Sequence, residues 1–204
     1  MDAATTREVA DLSEPELWAR AAGADPVAFA AVYERHADRI YNFCFRRSGS
    51  WSDAEDLTSL VFLEAWRRRA DVVLDERESP LPWLFGVATN VLRNRDRSLR
   101  RHAAALGRIH DRVEGFAVVE PDPADEVAGR LDDERRMREV LAAVDRLPAR
   151  DRDVLTLCVW EGLDYASAAV ALDIPIGTVR SRLARARSRL RAAVDDDSRK
   201  EKGR

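Results

Sequence analysis

Apolar side chains recur at spacings of three and four residues along most of the chain, which is typical of helices that bury one face. Alternation with a period of two, which would indicate half-buried strands, is missing. Three long helical segments are expected in the first half of the chain. Four more are expected between residues 131 and 194, with breaks at Pro148, Gly162 and Pro175–Gly177. The pattern therefore predicts an all-α protein.

Glycine and proline concentrate between the two helical blocks, at Gly107, Gly115, Pro121, Pro123 and Gly129. The charge changes from basic to acidic within the same segment, which is typical of a linker. We predict two small helical domains joined by a flexible linker that is partly helical at its basic start. The expected boundaries are a leader at 1–14, a first domain at 15–101, a linker at 102–130, a second domain at 131–194 and a tail at 195–204.

A short helix, a turn and a longer helix are expected between Asp164 and Leu190. Asp164 can cap the short helix, whose apolar face is predicted at three small residues, Ala166, Ala169 and Val170. The turn contains Pro175 and Gly177, and Thr178 can cap the following helix. This order predicts a helix-turn-helix.

The second helix of this motif has two contrasting sides. Its inner side is predicted to carry Val179, Leu183, Ala186 and Leu190. Small residues occupy the centre of the outer side, namely Ser181, Ala184 and Ser188. Long cations flank them, namely Arg180, Arg182, Arg185, Arg187, Arg189 and Arg191. Small residues let a helix approach base edges while arginines reach phosphates, so we predict a DNA-reading helix. A general RNA-binding or membrane-surface helix would not explain the short helix and turn before it.

The helix predicted at 53–70 has apolar residues on both sides. Ser52 and Glu55 fit a capping box at its start. Its core face is expected at Ala54, Leu57, Thr58, Val61, Phe62 and Ala65. The opposite side carries Leu60, Leu63 and Trp66 among Asp53, Asp56, Ser59 and Arg67. Charges around an apolar strip favour a protein-docking surface over a helix buried on all sides.

The segment at 83–101 is both apolar and basic. Its core face is expected at Trp83, Leu84, Val87, Ala88 and Val91. Amides and guanidinium groups line much of the remainder, at Asn90, Arg93, Asn94, Arg97 and Arg100. Asparagine amides can bond base edges and arginines can hold phosphates, so this helix is a second candidate nucleic-acid surface.

Charge is distributed unevenly along the chain. The net charge is only −3, but seven arginines lie between Arg93 and Arg112, and an acidic stretch follows over 114–134. An acidic total therefore does not exclude nucleic acid, because local patches govern contact. Residues 120–134 of this stretch either form a solvated tether, shield the basic helix at 180–191 in the free protein, or follow the path of the nucleic acid in a complex.

Catalytic and metal-binding patterns are missing from the sequence. Cys44 and Cys158 lie far apart in apolar helical patterns, where buried free thiols of a reducing cytosol are expected. The histidines are scattered, and no nucleophile–base set or phosphate loop occurs. We expect no enzymatic activity, no metal and no cofactor. With no signal peptide and no apolar run of ~20 residues, we expect a cytoplasmic protein without membrane insertion.

In this order, the segments resemble the RNA polymerase sigma factors of the extracytoplasmic-function (ECF) group of the sigma-70 family. The resemblance is carried by FAAVYERHADRIYNF, DAEDLTSLVFLEAWRR and LPWLFGVATNVLRNRDRSLRR in the first domain. It continues through LPARDRDVLTLCVWEGLDYASAAVALDIPIGTVRSRLARARSRL in the second. It implies a promoter-specificity subunit whose partners are core RNA polymerase and promoter DNA. An anti-sigma protein is a further expected partner.

The resemblance also implies roles for individual residues. Docking on the polymerase clamp falls to Asp53, Asp56, Ser59, Leu60, Leu63 and Trp66. Contacts to the upstream promoter element fall to Thr178, Arg180, Ser181, Arg182, Ala184 and Arg185. The downstream element is assigned to Trp83, Asn90, Arg93, Asn94, Arg97 and the loop near Glu76–Ser79.

A stand-alone helix-turn-helix regulator is the alternative. Its first domain would dimerise through the doubly apolar helix, and the protein would bind a palindrome without polymerase. This alternative leaves the basic patch at Arg93–Arg101 unexplained.

Overall fold

A computed structural model of the chain describes residues 9, 11–72, 74, 79–110 and 125–202, with the backbone alone at 103–110, 125–130 and 193–202. The N-terminal helices are α1 (Glu14–Ala22), α2 (Pro26–Ser48), α3 (Trp51–Arg68) and α4 (Leu81–His110), and a short 3₁₀ turn at Arg69–Asp71 follows α3. The C-terminal helices are α5 (Asp125–Val144), α6 (Ala149–Leu155), α7 (Tyr165–Leu172) and α8 (Ile176–Lys202), and a π-helical turn at Thr156–Trp160 extends α6. No strand occurs among the described residues. The predicted all-α class is confirmed.

Short polar side chains cap the N-terminal helices. Asp25 caps α2 by accepting hydrogen bonds from the amides of Val27 (2.9 Å) and Ala28 (3.2 Å), and these bonds lower the pKa of its carboxyl group. The predicted capping box at Ser52 is wrong, because Ser50 caps α3 and accepts from the amide of Asp53 at 3.3 Å. Gly49 ends α2 in the left-handed region (φ 68°), so the next helix begins earlier than the hydrophobic pattern indicated.

Large aromatic side chains fill the core of the N-terminal domain. The Trp18 and Trp83 rings meet edge to face at 5.2 Å, and Phe43 and Phe85 do the same at 5.2 Å. The Trp18 indole also donates to the carbonyl oxygen of Val72 at 3.0 Å, so the segment after the 3₁₀ turn is held against α1. Within the predicted leader, Val9 is completely buried against this core. The helices of the N-terminal domain therefore pack around a core of aromatic rings.

Smaller side chains form the core of the C-terminal domain, chiefly Val154, Leu157, Val179, Leu183 and Ala186. The predicted apolar face of α7 is wrong. Ala166 and Val170 are exposed, Ala169 is half-buried, and the buried residues are Ala168, Ala171 and Leu172. The physical reason is tertiary, since α7 lies between α8 and α4 of the other domain.

The two domains pack directly against each other. A side chain on Gly86 of α4 would overlap the carbonyl oxygen of Ala171 of α7, so only glycine permits this helix contact. Helix α4 reaches His110 and α5 begins at Asp125, so helices enter the predicted linker from both ends, while residues 111–124 lie outside the described residues. Helix α8 likewise continues through most of the predicted tail.

The two cysteines differ in environment. Cys44 is completely buried, and burial raises the pKa of its thiol to about 12. Cys158 is only half-buried, although burial raises its thiol pKa as well. The expectation of two buried thiols is therefore correct for Cys44 and wrong for Cys158, because the π-helical turn brings Cys158 towards the surface.

Candidate nucleic-acid and protein interfaces

The outer side of α3 carries an exposed apolar strip. Leu60 is 52% exposed and Leu63 is 46% exposed, which rules out a helix buried on all sides. Trp66 differs from these leucines, because its ring is half-buried against Phe29 at 5.0 Å. The Arg69 guanidinium covers the Trp66 ring at 3.7 Å from its centroid. The strip available to a partner is therefore centred on the two leucines.

A groove of about 620 Å³ separates this strip from α4. Its lining joins residues predicted for two different roles: Asp53, Asp56, Leu60 and Leu63 from α3, and Asn90 and Asn94 from α4. The carboxylate of Asp53 is ion-paired with Arg95 across the groove. The fold thus places the predicted polymerase-binding residues beside two of the predicted downstream-element residues.

The remaining downstream-element candidates have different environments. Arg97 is exposed and lies one turn from Asn94. Trp83 packs half-buried against Trp18, so part of its ring belongs to the core. Arg93 faces the C-terminal domain, where its guanidinium pairs with Asp153 at 2.7 Å. Ser79 bonds Glu14 at 3.1 Å, whereas the other residues of its predicted loop, 76–78, lie outside the described residues.

Helix α8 has the predicted two sides. Val179, Leu183 and Ala186 are buried and Leu190 packs partly against the core, while the outer side exposes Arg180, Ser181, Ala184 and Arg185. Arg182 is half-buried. Asp164 caps α7 as predicted, with its carboxylate accepting from the Ser167 amide at 2.7 Å. Thr178 does not cap α8, because the helix begins at Ile176 and the Thr178 amide already bonds the Pro175 carbonyl oxygen at 2.8 Å.

An ionic cluster between the domains was not predicted. Asp153 of α6 is 1% exposed and accepts from Arg47 of α2 at 3.0 Å, in addition to Arg93. Arg152 bridges Asp96 of α4 and Asp145 of its own domain. Alternating acids and bases at 150–153 were the only signal in the sequence, and such a run is ordinarily a solvated helix face.

A second buried ion pair joins the domains beside this cluster. The Glu161 carboxylate, whose side chain is 3% exposed, accepts two hydrogen bonds from Arg46, at 2.6 and 3.2 Å. Burial raises the pKa of Glu161, while the Arg46 hydrogen bonds act in the opposite direction. Buried charges with close partners indicate a specific contact between the domains.

The described part of the chain contains neither a metal-binding cluster nor a membrane-spanning helix. Among these residues, no group of three or more histidine, cysteine or acidic side chains is placed to bind a metal ion. None of the helices there combines the length and apolarity needed to cross a membrane.

Family models match both domains. The model of sigma-70 region 2 matches residues 32–102, and that of sigma-70 region 4 matches residues 137–190. The ECF sigma factor SigE of Mycolicibacterium smegmatis is 35% identical over 78% of this chain, which spans 59% of the length of SigE. The ECF sigma factor SigL of Mycobacterium tuberculosis is 30% identical, over 86% of this chain and 94% of the length of SigL.

Two solved structures have a similar fold. The sigma factor RpoE of Bartonella quintana, solved with the anti-sigma factor NepR, is 26% identical with a TM-score of 0.51, over 80% of this chain and 94% of that one. CnrH, solved with the cytosolic domain of CnrY, is similar in fold at 23% identity and a TM-score of 0.62, over 90% of this chain and 98% of that one. The chain therefore belongs to the ECF group of the sigma-70 family, the sigma factors that direct RNA polymerase to promoters.

Proposed function

We propose that this sigma factor docks on core RNA polymerase through α3, contacts the downstream promoter element through α4 and contacts the upstream element through α8. The observation that carries the proposal is the exposed pair Leu60 and Leu63, which lies in one groove with Asn90 and Asn94. Docking the leucines on the polymerase would bring the two amides next to the DNA that the polymerase holds.

The proposed docking surface on α3 contains both apolar and polar side chains. Leu60 and Leu63 supply apolar area to be removed from water, and Asp56 and Ser59 are exposed beside them. A partner surface with apolar residues surrounded by cations would fit this arrangement. The carboxylate of Asp53 is already paired with Arg95, so a cation of the partner would have to displace Arg95 to bind it.

The two DNA-binding surfaces act differently. The exposed amides of Asn90 and Asn94 suit base edges or unstacked bases, with Arg97 on the phosphates. On α8, Arg180 and Arg185 flank the small residues Ser181 and Ala184, which let the helix enter a major groove. A bidentate arginine–guanine contact discriminates by about 1–3 kcal/mol. Each domain alone therefore binds weakly, and specificity requires the polymerase to hold both domains on one promoter.

Domain organisation, location and regulation follow from the same proposal. We propose the two domain cores at the expected ranges, 15–101 and 131–194, with Val9 and the start of α5 added at their edges, and we propose that the protein acts in the cytoplasm without catalysing a reaction of its own. Because RpoE and CnrH were solved with partner proteins, we propose that an anti-sigma factor also binds this chain.

Run-off transcription tests the proposed function. Purified bacterial core polymerase is mixed with a promoter library in the presence and absence of the protein. Transcripts that start at defined sites only when the protein is present are the expected result. A silent polymerase, together with a palindromic duplex shifted by the protein alone, would instead establish the stand-alone regulator.

A further inference from the structure

Two basic grooves meet at the contact between the domains. The first, of about 380 Å³, is lined by five arginines from both domains: Arg93, Arg97, Arg100, Arg101 and Arg152. The second, of about 340 Å³, is lined by four arginines of the C-terminal domain: Arg150, Arg182, Arg185 and Arg189. Ala149 lines both grooves, so they form one continuous surface, which we call the arginine track.

Most of the positive charge in the arginine track is uncompensated. Its two carboxylates are already paired, Asp96 with Arg152 at 3.3 Å and Asp151 with Arg189 at 2.5 Å. Among the described residues, no carboxylate lies within ion-pairing distance of Arg97, Arg100, Arg101, Arg150 or Arg182. Like charges gathered along connected grooves attract a polyanion with regularly spaced charges, and a nucleic-acid backbone is such a polyanion.

The residues that line the arginine track favour duplex over single-stranded nucleic acid. Binding of single strands relies on aromatic rings that stack with successive bases. The described lining of both grooves contains no aromatic residue. The surface therefore suits phosphates presented by a duplex, with no reading of its bases.

We propose that the protein, with its two domains packed together and without polymerase, binds the backbone of duplex DNA along the arginine track, independently of sequence. This inference goes beyond the proposed function, in which each domain reads its own promoter element. Here arginines of α4 and α8 contact one DNA segment together, because the closed arrangement of the domains aligns them.

The decisive variant is Ala149→Glu, with Ala149→Gln as its matched control. Ala149 is exposed where the grooves meet and begins α6, a helix position that tolerates an acidic residue. Fluorescence anisotropy with a 20-base-pair duplex of random sequence measures affinity in the absence of polymerase. We expect Ala149→Glu to weaken binding about tenfold, Ala149→Gln to change it little, and the slope of log K against log salt to become less steep for Ala149→Glu.

Two further variants test whether both domains take part. Arg101→Glu lies on α4, outside the helix-turn-helix, and should weaken duplex binding to a similar extent, while the exposed Arg136→Glu on α5 should not. Gly86→Val forces α7 away from α4, and in this background Arg101→Glu should lose most of its effect. If Gly86→Val does not fold, Asp153→Asn serves the same purpose by removing the ion pairs between the domains.

Other results would overturn the proposal. Binding that is lost in Arg185→Ala but unchanged in Ala149→Glu and Arg101→Glu would assign it to the helix-turn-helix alone. Tighter binding of a single strand than of the duplex, or no binding of the duplex by the unaltered protein, would also contradict it. Run-off transcription with core polymerase, made in parallel, reports on the proposed function separately, because it requires no polymerase-free binding.

Discussion

The two domains of this sigma factor are stabilised in different ways. The largest completely buried side chains of the N-terminal domain include Trp18, Phe43 and Phe85, which pack among its own helices. In the C-terminal domain, buried Asp153 and Glu161 find their cationic partners in the other domain. The aromatic core of the first domain is therefore internal to that domain, whereas the buried carboxylates of the second domain are compensated by arginines of its neighbour.

The contacts that fold the first domain therefore differ in kind from the contacts that hold the two domains together. Aromatic burial provides a large, non-directional gain that remains when the domains move apart. Ion pairs between the domains would be lost on separation, but their charges would then regain water, which offsets part of the loss. The proposed polymerase-docking leucines lie on the first domain, whereas exposed arginines occur on both domains.

The largest expected effect comes from Asp153→Asn, which breaks the contact between the domains. The Arg47 side chain is only 3% exposed and would lose its carboxylate partner, at a cost of about 3–5 kcal/mol if the domains stayed packed. We expect the domains to separate instead, and small-angle scattering should show a larger radius of gyration. Asp132→Asn is the control, because its exposed pair with Arg136 contributes about 0–1 kcal/mol. An unchanged radius for Asp153→Asn would mean that apolar packing of α4 on α7 suffices.

The next effect tests the binding surface of the N-terminal domain. Leu63→Asp places a charge in the apolar strip and should weaken binding to core polymerase by about 2–4 kcal/mol, or roughly 30- to 1000-fold. The free energy of unfolding should hardly change, because Leu63 is already half exposed. Val140→Asp on α5, at 47% exposure, provides the control in a pull-down titration with core polymerase. Retained binding by Leu63→Asp would refute the docking surface.

A smaller effect tests the binding surface of the C-terminal domain. Arg185→Ala should weaken transcription from one promoter class by about 1–3 kcal/mol, roughly 5- to 150-fold, while polymerase binding stays the same. Arg187→Ala on the same exposed helix controls for a general loss of charge. Comparing promoter libraries transcribed with each variant provides the measurement. An equal loss of polymerase binding in Arg185→Ala would argue against a role confined to DNA.

The smallest effect concerns the pH dependence of the N-terminal domain. Burial lowers the pKa of His36 below its ordinary value of 6.5, although Glu14 lies 3.0 Å away and favours the charged ring, while Arg35 and Arg39 oppose it. Since the unfolded state binds the proton more readily, His36 stabilises the fold above pH 6.5 and loses this contribution as pH falls through its lowered pKa.

We therefore expect thermal unfolding to depend less on pH in His36→Gln than in the unaltered protein between pH 7.5 and 5.5. His102→Gln, at an exposed position on α4, should retain the original dependence. Equal pH dependence in His36→Gln and the unaltered protein would show that another group is responsible.

Several features that depend on the local spacing of residues were predicted correctly from the sequence. The buried face of α3 and the inner side of α8 were correct, because each helix has one continuous apolar side that can only point inward. The cap at Asp164 was correct for a similar reason, since the side chain and the amide that it bonds are three residues apart. Exposure of Leu60 and Leu63 also followed from charged neighbours on the same helix.

Contacts between residues that are distant in the chain could be found only in the tertiary structure. The buried face of α7 was mispredicted because its partner is Gly86 of the other domain, 85 positions from Ala171. Arg93 was predicted to contact DNA, and its ion pair with Asp153 is an additional contact that no periodicity reveals. The sequence by itself determined the helices, the buried faces of α3 and α8, and the family, because these depend on local spacing and composition. The packing of the two domains, and with it the arginine track, depends on which charges meet in space, and only the fold determines that.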